Sequence, residues 1–401
     1  MLFNFKVAVI GGGASGILTA VELVSGKNAF CGKDIAIIER NERIGKKLIA
    51  TGNGQGNILN AKINKANYYG DTTLIENFVN GLKEINLAEY FYKLGIPQTE
   101  SEDGKIYPIS KQASAVLDVL MKYLLSKGVN IITGEKVISI NKETIGFNLK
   151  TENNKYFANK VVVAIGGKAG KHFGTDGTSY SLLTNLGHEL TKLYPSLVQI
   201  KADLTKIRGL KGIKEKATVY ALDGEKVLKQ HTGDILFTEY GVSGSSIFQI
   251  SGHLATAVNP NIRVEFLPNY TLAETEKIIK DKISNCTFMQ KEEILCGIVN
   301  KKVGLQILKE VKNFNYKEIA YAIKNFNLKV TGSLGFDYAQ VTKGGITAKN
   351  LNSKTFESNV NNGLYIVGEA LNVDGDCGGY NLSFAFYSGI TCARDIKDKI
   401  N

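Results

Sequence analysis

Apolar residues fall along this chain in short runs whose period changes from one stretch to the next. Lys6–Ile10 is a continuous apolar run, Gly11–Gly16 is a glycine turn, and Ile17–Val24 has helical spacing. Asp34–Ile38 is a second β-rich run that ends in Glu39. This order predicts a β-α-β unit of about 35 residues. Residues 75–127 read as mostly helical, ending in Ala115–Ser126 with apolar positions at helical spacing. Strands are expected at Asn130–Thr133, Lys136–Asn141, Gly146–Thr151, Lys155–Phe157 and Lys160–Ile165. The texture changes after Pro195: Val198–Phe266 is β-branched with short alternations such as Ala217–Leu222, which predicts an antiparallel sheet or small barrel. Leu272–Phe326 is rich in Lys, Glu, Ile and Leu, almost lacks Gly and Pro, and has a helical period. Leu328–Val341 returns to β, Gly363–Val367 is a buried-type strand, and Ser383–Lys399 is a final helix. The strand at 363–367 has no partner near it in sequence, so the two ends of the chain are expected to complete one sheet.

Composition narrows the function classes. The chain has 401 residues, 42 of them Gly, no Trp, and a net charge of +11. No stretch approaches the roughly 20 apolar residues of a membrane span, and the apolar N-terminus runs into a glycine loop, which reads as a strand rather than a signal peptide. Five scattered cysteines without a C-x-x-C pattern fit a cytoplasmic protein without zinc ribbons or dithiol chemistry. Residues 191–334 carry 21 Lys and Arg against 14 Asp and Glu. That excess can attract anions or nucleic acid, but the lysines alternate with acids and lack interleaved aromatics, so a solvated surface is the simpler reading and nucleic acid is not the expected partner.

The chemistry lies in glycine-rich segments. Gly11-Gly12-Gly13-Ala14-Ser15-Gly16 is a G-x-G-x-x-G between a strand and a helix, with Glu39 following 23 residues later at the end of the next strand. Gly11 permits the tight turn, Gly13 lets a pyrophosphate approach the backbone, and Gly16 lets helix and strand pack closely. Ala14 and Ser15 open the helix whose N-terminus faces the anion. Glu39 can accept both ribose hydroxyls and would repel a 2′-phosphate, with Arg40 beside it. The loop Gly45–Asn57 places Lys46, Lys47, Gly54 and Asn57 where backbone amides and ammonium charge can wrap phosphates; a flexible surface loop is the other reading. Val161–Ile165 runs into Gly166-Gly167, a strand that in flavoproteins returns the chain to the cofactor. Near the C-terminus, Gly363–Val367 ends in Gly368-Glu369, then a loop holds Asp376 and Cys377, and a helix begins near Asn381 and Leu382. Such a helix N-terminus can stabilise the charge of a reduced flavin, and Glu369 can bond its ribityl chain.

These segments resemble the flavoprotein family that includes aminoacetone oxidase-like enzymes and BaiN-type bile-acid flavoproteins. GGGASG at 11–16, GKKLIATGNG at 45–54, VVVAIGG at 161–167 and DILFTEYGVSG at 234–244 carry the resemblance. It continues through AQVTKGGI at 339–346 and GLYIVGEALNVDGDCGGYNLSFAFYSG at 363–389, nearly the whole chain in order. The resemblance implies FAD and an α/β fold: a discontinuous Rossmann-like FAD-binding domain with an inserted β-barrel-like domain and a small helical domain. The texture changes put these at 1–190 with 341–401, 191–268 with 327–340, and 269–326. It also implies a backbone contact from Val137 to adenine. The family's Arg-Cys-Asn after the TG-x-G turn is replaced here by Gln55-Gly56-Asn57, which removes a cation from that loop. The expected activity is hydride transfer between a small organic substrate or NAD(P)H and FAD, with no second G-x-G-x-x-G to hold a nicotinamide cofactor permanently. A flavin-dependent RNA-modifying enzyme and a non-catalytic flavin protein are the alternatives. Catalytic groups are not identifiable: the four histidines show no ligand spacing, so no metal is expected, and Cys377, Tyr380 and Lys343 stand as candidates for the substrate face. Oligomeric state is not legible.

Overall fold

The computed structural model describes residues 2–400, which divide into two compact units: 2–193 with 341–400, and Tyr194–Gln340.

The first unit is built on a parallel sheet. Leu2–Ile10 pairs in parallel with Lys155–Val163 on one side and Ile35–Ile38 on the other. Asn130–Ile132 extends one edge. Leu364–Ile366, from the far end of the chain, pairs in parallel with Val161–Val163. Parallel strands lie between covering layers and so read as continuous apolar runs; Val7–Ile10, Ile35–Ile38, Val161–Val163 and Leu364–Ile366 are all buried. The antiparallel hairpin Val137–Lys142 and Phe147–Thr151 joins the first half of Lys155–Val163. Helices Ala14–Leu23 and Tyr380–Ile400 pack against each other. In their contact, buried Glu22 meets Lys397 at 2.8 Å and Arg394 at 3.3 Å.

The second unit holds a closed six-stranded barrel, in the order Ile200–Ala202, Gly241–Ser243, Lys226–Phe237, Lys214–Asp223, Pro260–Phe266, Phe326–Ser333. Helices Leu272–Asn285, Lys301–Lys309 and Tyr316–Lys324 belong to the same unit. The α/β class with a discontinuous Rossmann-type sheet and a β-barrel is thus the observed architecture.

Some local expectations change. Residues 75–127 are not one helical stretch: Thr72–Gly81, Leu87–Lys93 and Ala113–Ser126 are separated by a hairpin, Gln98–Glu100 against Lys105–Pro108. The turn Ser101–Gly104 forces it, because Gly104 takes φ +84° and the Ser101 hydroxyl bonds both Asp103 and the Lys105 carbonyl. Lys155–Phe157 and Lys160–Ile165 form one strand, Lys155–Val163. A helix, Ser245–Leu254, lies within the β-rich stretch; Ile247, Ile250 and Leu254 bury one face against the barrel strands. No described helix is long and apolar enough to cross a membrane.

Candidate functional site

The parallel strands of the first unit end together at Ile10, Ile38, Val163 and Ile366, and the glycine-rich loops leave from those ends. Open α/β sheets bind ligands at this edge. Gly11 takes φ +105°, and a Cβ on Gly16 would lie 2.0 Å from the Gly11 carbonyl oxygen, so only glycine closes the loop. At Gly13 the same Cβ would meet nothing within 4 Å. Helix Ala14–Leu23 starts there with no side-chain cap and no acid in its first turn. An open backbone surface at an uncapped helix N-terminus fits a pyrophosphate. Ser15 is buried, and a Cβ on Gly368 would sit 2.4 Å from its Oγ, so the loops of the two chain ends touch here.

Glu39 lies 7 % exposed beneath this loop. The Gly12 N–H donates to its Oε2 at 2.7 Å, and Asn41 donates to its Oε1 from backbone (2.8 Å) and side chain (2.6 Å). These bonds orient the carboxylate, and each oxygen keeps acceptor capacity for a ribose hydroxyl. The residues present therefore fit the adenosine diphosphate half of FAD. Val137 begins its strand two residues after Glu135, whose N–H donates to the Glu39 carbonyl at 2.9 Å. Arg40 points elsewhere, into a bidentate pair with Asp176 at 2.9 and 3.0 Å. That pair holds the Asp176 carboxyl well below the usual range.

The second glycine loop folds as the short helix Lys46–Ile49 and the turn Thr51–Gly54. Its side chains serve the loop as much as any phosphate. Lys46 donates to Asn41 Oδ1, and Asn57 donates to the carbonyls of Leu59 and Ile106 as a buried brace. Gly54 and Gln55 are exposed.

Lys47 reaches the other end of the sheet edge. It donates to Glu369 Oε2 at 2.7 Å and to the Ala169 carbonyl at 3.2 Å. Glu369 Oε1 accepts the Thr342 N–H at 2.9 Å. The Thr342 hydroxyl accepts the N–H groups of Lys168 and Ala169, locking the turn that follows Gly166. Glu369 is thus a junction of four segments, and Thr342 is a site residue that its motif contained but no local signal marked. Asn381 is likewise a brace: its Oδ1 accepts the Gly375 N–H at 2.8 Å, and its amide donates to the carbonyls of Gly375 and Asp376. The helix begins one residue earlier, at Tyr380, and Leu382 packs partly buried against the core. The Asn381 side chain thus holds the loop from which the last helix starts.

Beside this junction lies a polar group that sequence reading did not assemble. Val373–Gly375 pairs with Tyr68–Gly70, putting Asp374 opposite Tyr69. Tyr69 donates to Asp376 Oδ1 at 2.9 Å and Asn67 to Oδ2 at 3.2 Å. Lys343 lies with its Nζ 3.6 Å from Asp374 Oδ1 and 5.1 Å above the Tyr69 ring. Burial, together with Asp376 and Glu369, pushes the Asp374 carboxyl up to about 6 despite Lys343. Burial also pushes the Cys377 thiol up, which disfavours a thiolate nucleophile there. The strand pair joins residues about 300 apart in sequence, so no spacing rule could reveal it.

The comparisons agree with this architecture. The family model described as the HI0933-like protein Rossmann domain matches residues 5–395. A 3-dehydro-bile acid delta(4,6)-reductase of Clostridium scindens is 35 % identical, with 97 % of this chain and 98 % of that protein covered. A ribosomal RNA dihydrouridine synthase of Haemophilus influenzae is 26 % identical, with 97 % of each chain covered. Among solved structures, the 3-ketosteroid-delta4-(5alpha)-dehydrogenase of Rhodococcus jostii RHA1 is alike in fold at TM-score 0.53 and 13 % identity, covering 98 % of this chain and 97 % of that one.

Proposed function

This chain belongs to the HI0933-like Rossmann family and is an FAD-dependent oxidoreductase; from that premise we propose that it saturates a carbon–carbon double bond conjugated to a carbonyl in a small organic substrate. NAD(P)H is the donor we assign. It would visit the flavin face and leave, since the chain has a single G-x-G-x-x-G. The observation that carries the reading is the full-length relative at 35 % identity, named for reduction of a 3-dehydro ring system at its 4,6 positions. FAD supplies the two-electron relay between donor and substrate. The protein's own groups do the rest. Gly11–Gly16 and Glu39 would anchor the adenosine diphosphate, the Glu369–Lys47–Thr342 junction would fix the loops around the redox-active end, and the interior charges beside it would handle the proton.

The test is anaerobic mixing of the yellow protein with NADH and NADPH, then reoxidation by steroid dienones, simple enones, saturated ketones and amines. Bleaching by a nicotinamide and recovery by enones, with a product heavier by two hydrogens, is the expected result. Recovery by none of the enones, with direct bleaching by amines, overturns the reading.

A second reading has its own support. The dihydrouridine synthase relative spans the full chain, and residues 191–334 carry a net +7. Saturating a uracil ring is the same reaction type, a double bond conjugated to a carbonyl. Salt-sensitive retention on ribosomal RNA and formation of dihydrouridine would favour it.

A further inference from the structure

Lys343 differs from two other lysines of this protein that face carboxylates. Lys397 and Lys47 close on their carboxylate partners at 2.8 and 2.7 Å. Lys343 Nζ stands 3.6 Å from Asp374 Oδ1, a longer ion pair than those two. Asp374 Oδ1, buried, has no hydrogen-bond partner among the described residues. An ion pair this long, over a buried carboxylate oxygen with no close hydrogen-bond partner, leaves room for a third polar atom. Their exposure orders them: the Lys343 side chain is 19 % accessible and that of Asp374 only 2 %, so Lys343 faces outward and Asp374 lies behind it.

We propose that Lys343 and Asp374 form the proton-donating pair for the carbonyl oxygen of the substrate, Lys343 touching the oxygen and Asp374 resupplying Lys343. This rests on the conjugated-carbonyl reading above and names the groups that make it work. Hydride arriving at the β carbon displaces the π pair toward the carbonyl oxygen. Lys343 gives that oxygen a proton and becomes a neutral amine. Asp374, as the acid, returns a proton to Nζ and becomes a carboxylate, which water reprotonates. The enol then becomes the saturated ketone, and the substrate has gained one hydride and one proton. The groups facing Asp374 are Lys343, Asp376, Glu369 and, across the strand pair, Tyr69. Burial first, and the two carboxylates after it, favour its acid form against the pull of Lys343.

The test uses FAD-loaded protein and 4-hydroxybenzaldehyde, whose phenolate absorbs at longer wavelength than the phenol. The wild type should bind the probe and ionise it at lower pH than in water. Lys343→Met should retain FAD, bind the probe about tenfold more weakly, and lose the ionisation shift. Lys343→Arg should keep the shift but lose kcat more than it raises KM, because guanidinium does not give up a proton. Asp374→Asn should keep probe binding and flatten the kcat–pH profile. An unshifted probe in the wild type, or full shift and enone turnover in Lys343→Met, overturns the proposal. A probe shift that depends on Lys343 in a protein that reduces no enone supports the oxygen site and sinks the conjugated-carbonyl reading instead.

Discussion

Glu39 accepts two backbone N–H groups, from Gly12 and Asn41, and is the residue we propose for the ribose. Glu39→Ala should therefore weaken FAD binding by about 1–3 kcal/mol, read by flavin titration. Asp374 makes a different prediction through its charge. Its acid form titrates near about 3.9 in an unfolded chain and at about 6 in the folded protein. A raised pKa means the folded state favours the proton, so the contribution to stability is complete below about pH 4 and lost as pH rises through about 6. Asp374→Asn lacks this titration. The wild type should lose about 2 kcal/mol relative to that variant between about pH 4 and pH 7, measured by urea unfolding at both ends. An unchanged difference would mean Asp374 ionises normally. The place of Glu39 beside the glycine loop was legible because it ends the second strand of a β-α-β unit. Asp374 was not, because its pKa is set first by burial in the folded chain and then by Lys343, Asp376 and Glu369.

Among elements, the contact between helices Ala14–Leu23 and Tyr380–Ile400 couples the first cofactor loop to the last. Glu22 is buried between them with Lys397 and Arg394, and Tyr90 donates to it at 2.9 Å. Lys397→Met should cost about 1–3 kcal/mol, less than a fully orphaned buried charge, because Arg394 remains. Glu22→Gln combined with Lys397→Met should recover most of that loss in urea unfolding. A combined variant as unstable as the sum of the single ones would show that the helices are held by packing alone. The helices themselves were readable from their apolar spacing. The hairpin at Gln98–Pro108 was hidden because a short turn signal, Ser101–Gly104, overrides a helical period on both sides. Helix Ser245–Leu254 was hidden because its β-branched surroundings belong to the barrel it packs on.

For the whole molecule, the strand Leu364–Ile366 and the Gly368-Glu369 turn complete a sheet that starts at Leu2. A chain ending at residue 362 keeps GGGASG and Glu39 yet should retain no FAD, while the full chain should gain about 2.7 kcal/mol of stability at a hundredfold excess over Kd. Absorbance of the purified proteins and melting with added FAD check both. Retention of flavin by the shortened chain would show that the N-terminal loops suffice.

The sequence by itself determined the parts whose cause is local. The β-α-β unit follows from apolar period, the glycine turn from the backbone freedom of Gly11 and Gly16, and the parallel sheet from apolar runs that demand cover on both faces. The tertiary structure alone decided which polar side chains meet. Lys47 could wrap a phosphate or bond Glu369, Asn381 could face a ligand or brace its loop, and Lys343 could be a solvated surface cation. The partners of Lys47 and Lys343 lie in segments distant in sequence and those of Asn381 in its own loop, and the choice is made by burial and by the pairing of charges and hydrogen bonds.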